Sequence, residues 1–115
     1  MFAAYHAFLA SFIVFLLGFC MPSYAEERFT SKDFLEWKED ERSSYIQIAL
    51  ITANTIASRN DQTQSTCIGE WYDRNKDSAN DYIYDVMKKN TDHHPVAIIL
   101  AIAEKECGSF QYGQN

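Results

Sequence analysis

DHHPVAIILAIAEKECG, residues 92–108, is the stretch whose reading decides the fold. Pro95 stands where its missing N–H costs a helix nothing, apolar side chains occupy every face through Ala103, and Gly108 follows as a stop signal. A helix apolar all round is expected at the centre of its domain, with the other elements wrapped on it. It ends on Cys107, whose thiol partner must come from the rest of the chain.

The chain has 115 residues and a net charge of −6, which fits one compact domain. The acidic balance argues against nucleic acid, whose phosphates it would repel, and against work at an anionic membrane surface. Four glycines, two prolines and an aromatic content of 15% exclude disorder and provide bulky groups for a small core. The first residues stand apart. Phe8 to Met21 is an unbroken apolar run, and Ser23 and Ala25 flank Tyr24 in the small-x-small pattern that signal peptidase cleaves. Residues 1–25 therefore read as a cleaved signal peptide and residues 26–115 as a single helical domain, periplasmic or secreted. No Lys or Arg precedes the run, but Glu26 and Glu27 beyond it keep the charge asymmetry in favour of export. The competing reading is a retained anchor, since a span reaching back to Phe2 approaches the roughly 20 residues of a bilayer crossing. After cleavage no stable membrane association is expected.

Cleavage also removes Cys20, whose use as a lipidated cysteine is disfavoured by the bulk of Phe19. An even pair remains, Cys67 and Cys107, in an oxidising compartment, and a disulfide between them is expected. Closing that loop is worth about 4 kcal/mol in the chain-entropy model. Metal binding by the two thiols is the weaker alternative, because no C-x-x-C spacing or neighbouring His pair supports it.

Helix signals recur along the mature chain and strand signals do not, so the fold is all-α, a bundle of four to five helices. Thr30 and Asp33 form a capping box, with Phe29 placed to staple onto Phe34. Lys38 to Arg42 reads as a solvated charged turn. Apolar residues return from Tyr45 to Ala57, where Ala49, Ala53 and Ala57 form a stripe of small side chains for close helix packing. Whether these two segments are one kinked helix or two is open, since Ser43 or Ser44 can cap a new start. Arg59 to Thr66, RNDQTQST, reads as a loop, and Cys67 to Tyr72 as a short helix pinned by the disulfide. Asp73 to Asp77 reads as a turn. Ser78 to Asp81 reads as a second capping box, opening an amphipathic helix through Tyr82, Ile83, Val86 and Met87 that ends at Asn90. Phe110 is placed to fold back on the last turn of the central helix.

Catalytic candidates are thin. There is no G-x-S-x-G turn and no Gly-rich loop, both thiols are committed to the bridge, and no cofactor or metal is expected. His93 and His94 are adjacent and point apart, which makes them surface groups at the start of a helix before ligands or a pH sensor. The chain is expected not to be an enzyme. Trp71, Tyr72, Phe110 and Tyr112 are the candidates for a partner-binding surface, being residue types that anchor interfaces when exposed; the competing reading for Trp71 and Tyr72 is core.

The order of features, with Phe34-Leu35-Glu36-Trp37 near the start, Tyr45-Ile46, Cys67, and a closing His94-Pro95 followed by Ala101 and Cys107, resembles the Tai-type family of periplasmic immunity proteins. Lys38 stands where that family commonly has a further Cys, so one of its usual disulfides remains. The resemblance implies a protein that binds and blocks a peptidoglycan-cleaving amidase effector delivered by type VI secretion. A rival reading is a periplasmic acid-stress chaperone of the HdeA type, which is held by one disulfide and forms a homodimer near neutral pH. Both rest on a protein partner and on no chemistry of the domain's own.

Overall fold

The break between the first two helices comes from Glu36-Trp37-Lys38, a non-helical segment ahead of both serines expected to cap. The computed structural model describes residues 27–111; the expected signal peptide, residues 1–25, lies outside them, as does Tyr112. Five helices follow in order: α1 (Ser31–Leu35), α2 (Glu39–Asn60), α3 (Gln62–Arg74), α4 (Lys76–Lys89) and α5 (Pro95–Cys107). No strand occurs among the described residues, so the all-α fold expected from the sequence is the one observed.

The five-residue helix α1 is too short to be stable alone, and two devices hold it. The capping box forms as expected: Asp33 accepts from the Thr30 backbone N–H at 2.9 Å and from its hydroxyl at 2.8 Å. The amides of Ser31 and Lys32, orphan donors of a helix start, donate to the carbonyls of His93 and Thr91 in the α4–α5 connection. Phe34 is then fully buried. Phe29 belongs to a wider aromatic cluster than a single staple, stacking on Trp37 at 5.2 Å while Phe34 meets Trp37 and Tyr45 at 5.4 and 5.1 Å.

The Thr30 bonds hold the Asp33 carboxyl below its ordinary value of 3.8. A lowered folded-state pKa means that the stabilisation is complete above that ordinary value and is lost as pH falls through the folded-state one. Asp33→Ala is therefore expected to melt below wild type at neutral pH, with the gap narrowing as pH falls below the ordinary carboxylate range. A gap that stays constant across the titration would show that the carboxylate plays no part.

Helix α2 begins inside the segment expected to be a charged turn. Glu39, Asp40 and Glu41 form its first turn, where carboxylates favour the positive end of the helix dipole. It continues through Ser43 and Ser44 to Asn60, and the expected loop over Arg59 to Thr66 shrinks to Asp61 alone. The reason is capping: the Asp61 carboxylate accepts from the Gln64 amide at 3.1 Å and starts α3 directly. The polar residues after it are structural. Buried Gln64 donates to the Gly108 carbonyl, and buried Ser65 donates to the Asn54 side chain across the α2–α3 contact. Gly69 allows the close approach of these helices, since a Cβ there would stand 3.2 Å from Asn54 Nδ2.

The expected capping box at Ser78 to Asp81 does not form, because α4 has already begun at Lys76 and all four residues lie inside it. Only Asn75 separates α3 from α4. Along α4, Ala79, Ile83 and Met87 are buried, with Tyr82 and Val86 half-buried against the same core.

Pro95 opens α5 and Gly108, with φ of 92°, ends it. His94 caps the helix through Nδ1, which accepts from the Val96 amide at 3.2 Å. The helix packs on α2, α3 and α4, so it is central. It is not enclosed on every side: Ile98, Ile99, Ile102 and Ala103 are buried, whereas Ala97 and Ala101 are exposed.

Candidate partner-binding site

The Cys67–Cys107 disulfide is present, joining α3 to the last turn of α5 with Cα atoms 5.6 Å apart. It borders an open groove of about 540 Å³ between α3 and α4. The helical repeat builds one wall, since Cys67, Glu70, Trp71 and Arg74 recur at three- and four-residue spacing on α3; Ser78, Ala79 and Tyr82 form the other on α4. Trp71 is half-buried, its ring body packed on the core and its remaining surface in the groove.

Tyr112 lies outside the described residues, and the other three aromatic candidates, Trp71, Tyr72 and Phe110, do not gather into one patch. Tyr72, next to Trp71, turns inward and is 5% exposed. Its hydroxyl donates to Asn80 Oδ1 at 3.0 Å, and Asn80 Nδ2 donates to Ser43 Oγ at 3.1 Å, a chain that ties α3, α4 and α2 together. Burial pushes its phenol pKa up. Tyr72 is thus a core residue, and the surface role expected for it is withdrawn. Phe110 is half-buried, folded back on the core beyond Gly108. Of the pair in sequence, Trp71 remains as the surface aromatic.

Charge surrounds the groove unevenly. Asp77, Asp81 and Asp85 recur every fourth residue along an exposed ridge of α4, one row from Ser78 and Tyr82. Asp85 pairs with Lys88 at 3.4 Å and Glu70 with Arg74 at 3.0 Å, both in solvent and worth little energetically. At the far end Lys105 Nζ donates to the Tyr82 hydroxyl at 2.8 Å, which holds the ammonium above its ordinary pKa. Lys105 thus stands as a cation beside Tyr82 at this end of the groove. The sequence conceals this ridge, because Asp77 reads as a turn residue and Asp81 as part of a cap, which hides their common register.

No protein-family model matches this sequence, and no curated protein and no solved structure matches it. The two histidines do not form a metal site. His93 Nδ1 lies 2.9 Å from Asp92, which holds that carboxyl below its ordinary range, and His94 is occupied as the α5 cap. Among the described residues no group of three or more His, Cys, Asp or Glu converges as metal ligands.

A second surface is apolar. On α2, Ala53 and Ala57 are buried as the small-residue stripe implied, but Ile48, Ile51 and Ile56 are 64%, 56% and 58% exposed. Ile48 and Ile56 border a groove of about 310 Å³ between α2 and α5, with Tyr45 and Thr52 on the same wall, Val96 and Leu100 on the other, and Ala49 and Ala53 between them. Periodicity alone could not separate the two faces, because α2 is apolar over most of its circumference.

Proposed function

We propose that this chain is an exported protein-binding domain of the immunity type, which binds and blocks a peptidoglycan-cleaving effector. The observation that carries the reading is Trp71, half-exposed in an open groove, bordered by the acidic ridge of α4 and fixed by a disulfide one turn away on its own helix. A tryptophan with its body packed and one edge free is the residue type that most often dominates binding energy at an interface. A rigid scaffold limits the entropy lost on binding. The ridge of Asp77, Asp81 and Asp85 gives the surface the potential to meet a cationic cleft and speeds encounter with one. The domain inhibits by occupying the cleft and carries out no step of its own.

The test is inhibition. Protein co-purified with the full-length gene product from periplasmic extract is assayed for cleavage of purified peptidoglycan, with and without added domain. The expected result is a block at equimolar domain. Trp71→Ala is expected to weaken the block by about 30-fold, the equivalent of about 2 kcal/mol, with its helical content unchanged. A captured protein that cleaves equally well in the presence of the domain would sink the reading, as would full inhibition by the Trp71 variant.

A further inference from the structure

The exposed apolar face of α2 lies on the other side of the molecule from α3. Asn54, which bonds α3, stands about 200° around the helix from Thr52 at the centre of that face. We infer that its occupant is a second copy of this chain, docked antiparallel so that a twofold axis passes at Thr52.

Three observations select this occupant. The first is charge. The groove residues Tyr45, Ile48, Ala49, Thr52, Ala53, Ile56, Val96 and Leu100 include no carboxylate, amine or guanidinium, in a chain of net charge −6. The Thr52 hydroxyl is turned inward onto the Ile48 carbonyl at 2.8 Å, and that of Thr55 onto Ile51 in the same way, leaving methyl groups outward. Such a face has no charge with which to select a charged protein, and it brings none of its own like charges together when it meets itself.

The second is the order of side chains. Ile48, Thr52 and Ile56 lie on one row of every fourth residue, and the row reads the same in both directions about Thr52. A twofold axis there sets each Ile48 against the partner's Ile56 and Thr52 against the partner's Thr52. Beside this row the small side chains of Ala49 and Ala53 form a groove, so each copy has both a ridge and a place for the other's ridge. The third lies at the ends of the row. The same axis sets the partner's Arg59 beside Tyr45, one turn from Glu41. A guanidinium over an aromatic ring and near a carboxylate then closes each end of the contact. A parallel arrangement would place Arg59 against Arg59 and the acidic first turns against each other.

A contact confined to a few helical turns falls among small interfaces, below about 1,200 Å² in total, so dimerisation is expected in the micromolar range. The α3–α4 groove stays open in both copies, so this inference and the proposed inhibition succeed or fail separately.

Sedimentation equilibrium of the full-length gene product, purified from the compartment where it accumulates, is expected to give twice the monomer mass at about 300 μM and to shift towards monomer at about 1 μM. Ile56→Lys is expected to weaken the dimer by at least tenfold at unchanged helical content while still inhibiting the captured effector. Thr52→Cys is expected to form a covalent dimer on oxidation, since only that position meets itself. A protein that remains monomeric at the higher concentration overturns the inference. So does a dimer indifferent to Ile56→Lys, a Thr52→Cys protein that fails to crosslink, or a different protein or the apolar segment Phe8 to Met21 found on this face.

Discussion

Cys107→Ser is expected to lower the stability of the oxidised protein by about 4 kcal/mol, a large share of what a domain of this size has to lose. The bridge spans 40 positions of sequence and encloses the body of α3, all of α4 and the start and length of α5. Without it the unfolded chain regains the freedom of that loop. The native state loses the tie that holds the end of α5, leaving the Gln64 bond to the Gly108 carbonyl as the nearest remaining restraint. Both cysteines are half-buried, so a serine leaves little cavity and the loss reports the crosslink. At about 4–8 °C per kcal/mol the melting temperature falls by roughly 20 °C. Cys67→Ser, the double variant and the chemically reduced wild type should converge on the same midpoint. A melting temperature in oxidising buffer that does not move would show that the crosslink contributes nothing.

The architecture was readable where one local signal sufficed. Pro95 and Gly108 bounded α5, Thr30 and Asp33 capped α1, and the even pair of thiols implied the bridge. Reading failed where local chemistry had two uses. RNDQTQST reads as a loop because it is polar, yet Asp61 caps a helix there and Gln64 and Ser65 are buried with hydrogen-bond partners at the end of α5 and in α2. Ser78 to Asp81 has the composition of a helix start, but Asn75 breaks the chain earlier and the same residues fall within α4. The candidate site was legible only at Trp71, because direction around a helix decides exposure and neighbours in sequence point apart. Tyr72, one residue on, is about 100° away and faces the core. The face of α2 was hidden for a related reason. A helix apolar on two sides gives no sequence signal for which side the domain covers, and only the placement of α3 and α5 decides it.

Two isoleucines of the same fold make that distinction measurable. Ile99 is fully buried in the middle of α5, whereas Ile48 on α2 is 64% exposed. Ile99→Ala removes methyl and methylene groups from the point where the central helix meets its neighbours. The loss combines transfer free energy with that of an unfilled cavity, about 2–5 kcal/mol, and leaves a protein of this size partly unfolded at body temperature. Ile99→Val deletes one methylene and is expected to cost about 0.5–1.5 kcal/mol, which keeps the measurement within range if the alanine variant does not fold. Ile48→Ala, measured at high dilution where the chain is monomeric, is expected to stay within about 0.5 kcal/mol of wild type. Raising the protein concentration should open a gap between wild type and the Ile48 variant, because only wild type gains stability from association. The gap at Ile99 should not change. Denaturant midpoints at two concentrations decide the matter: a large loss for Ile48→Ala at high dilution would mean that its side chain is covered within a single copy, and equal losses at both positions would mean that the packing of α2 and α5 is not the one described.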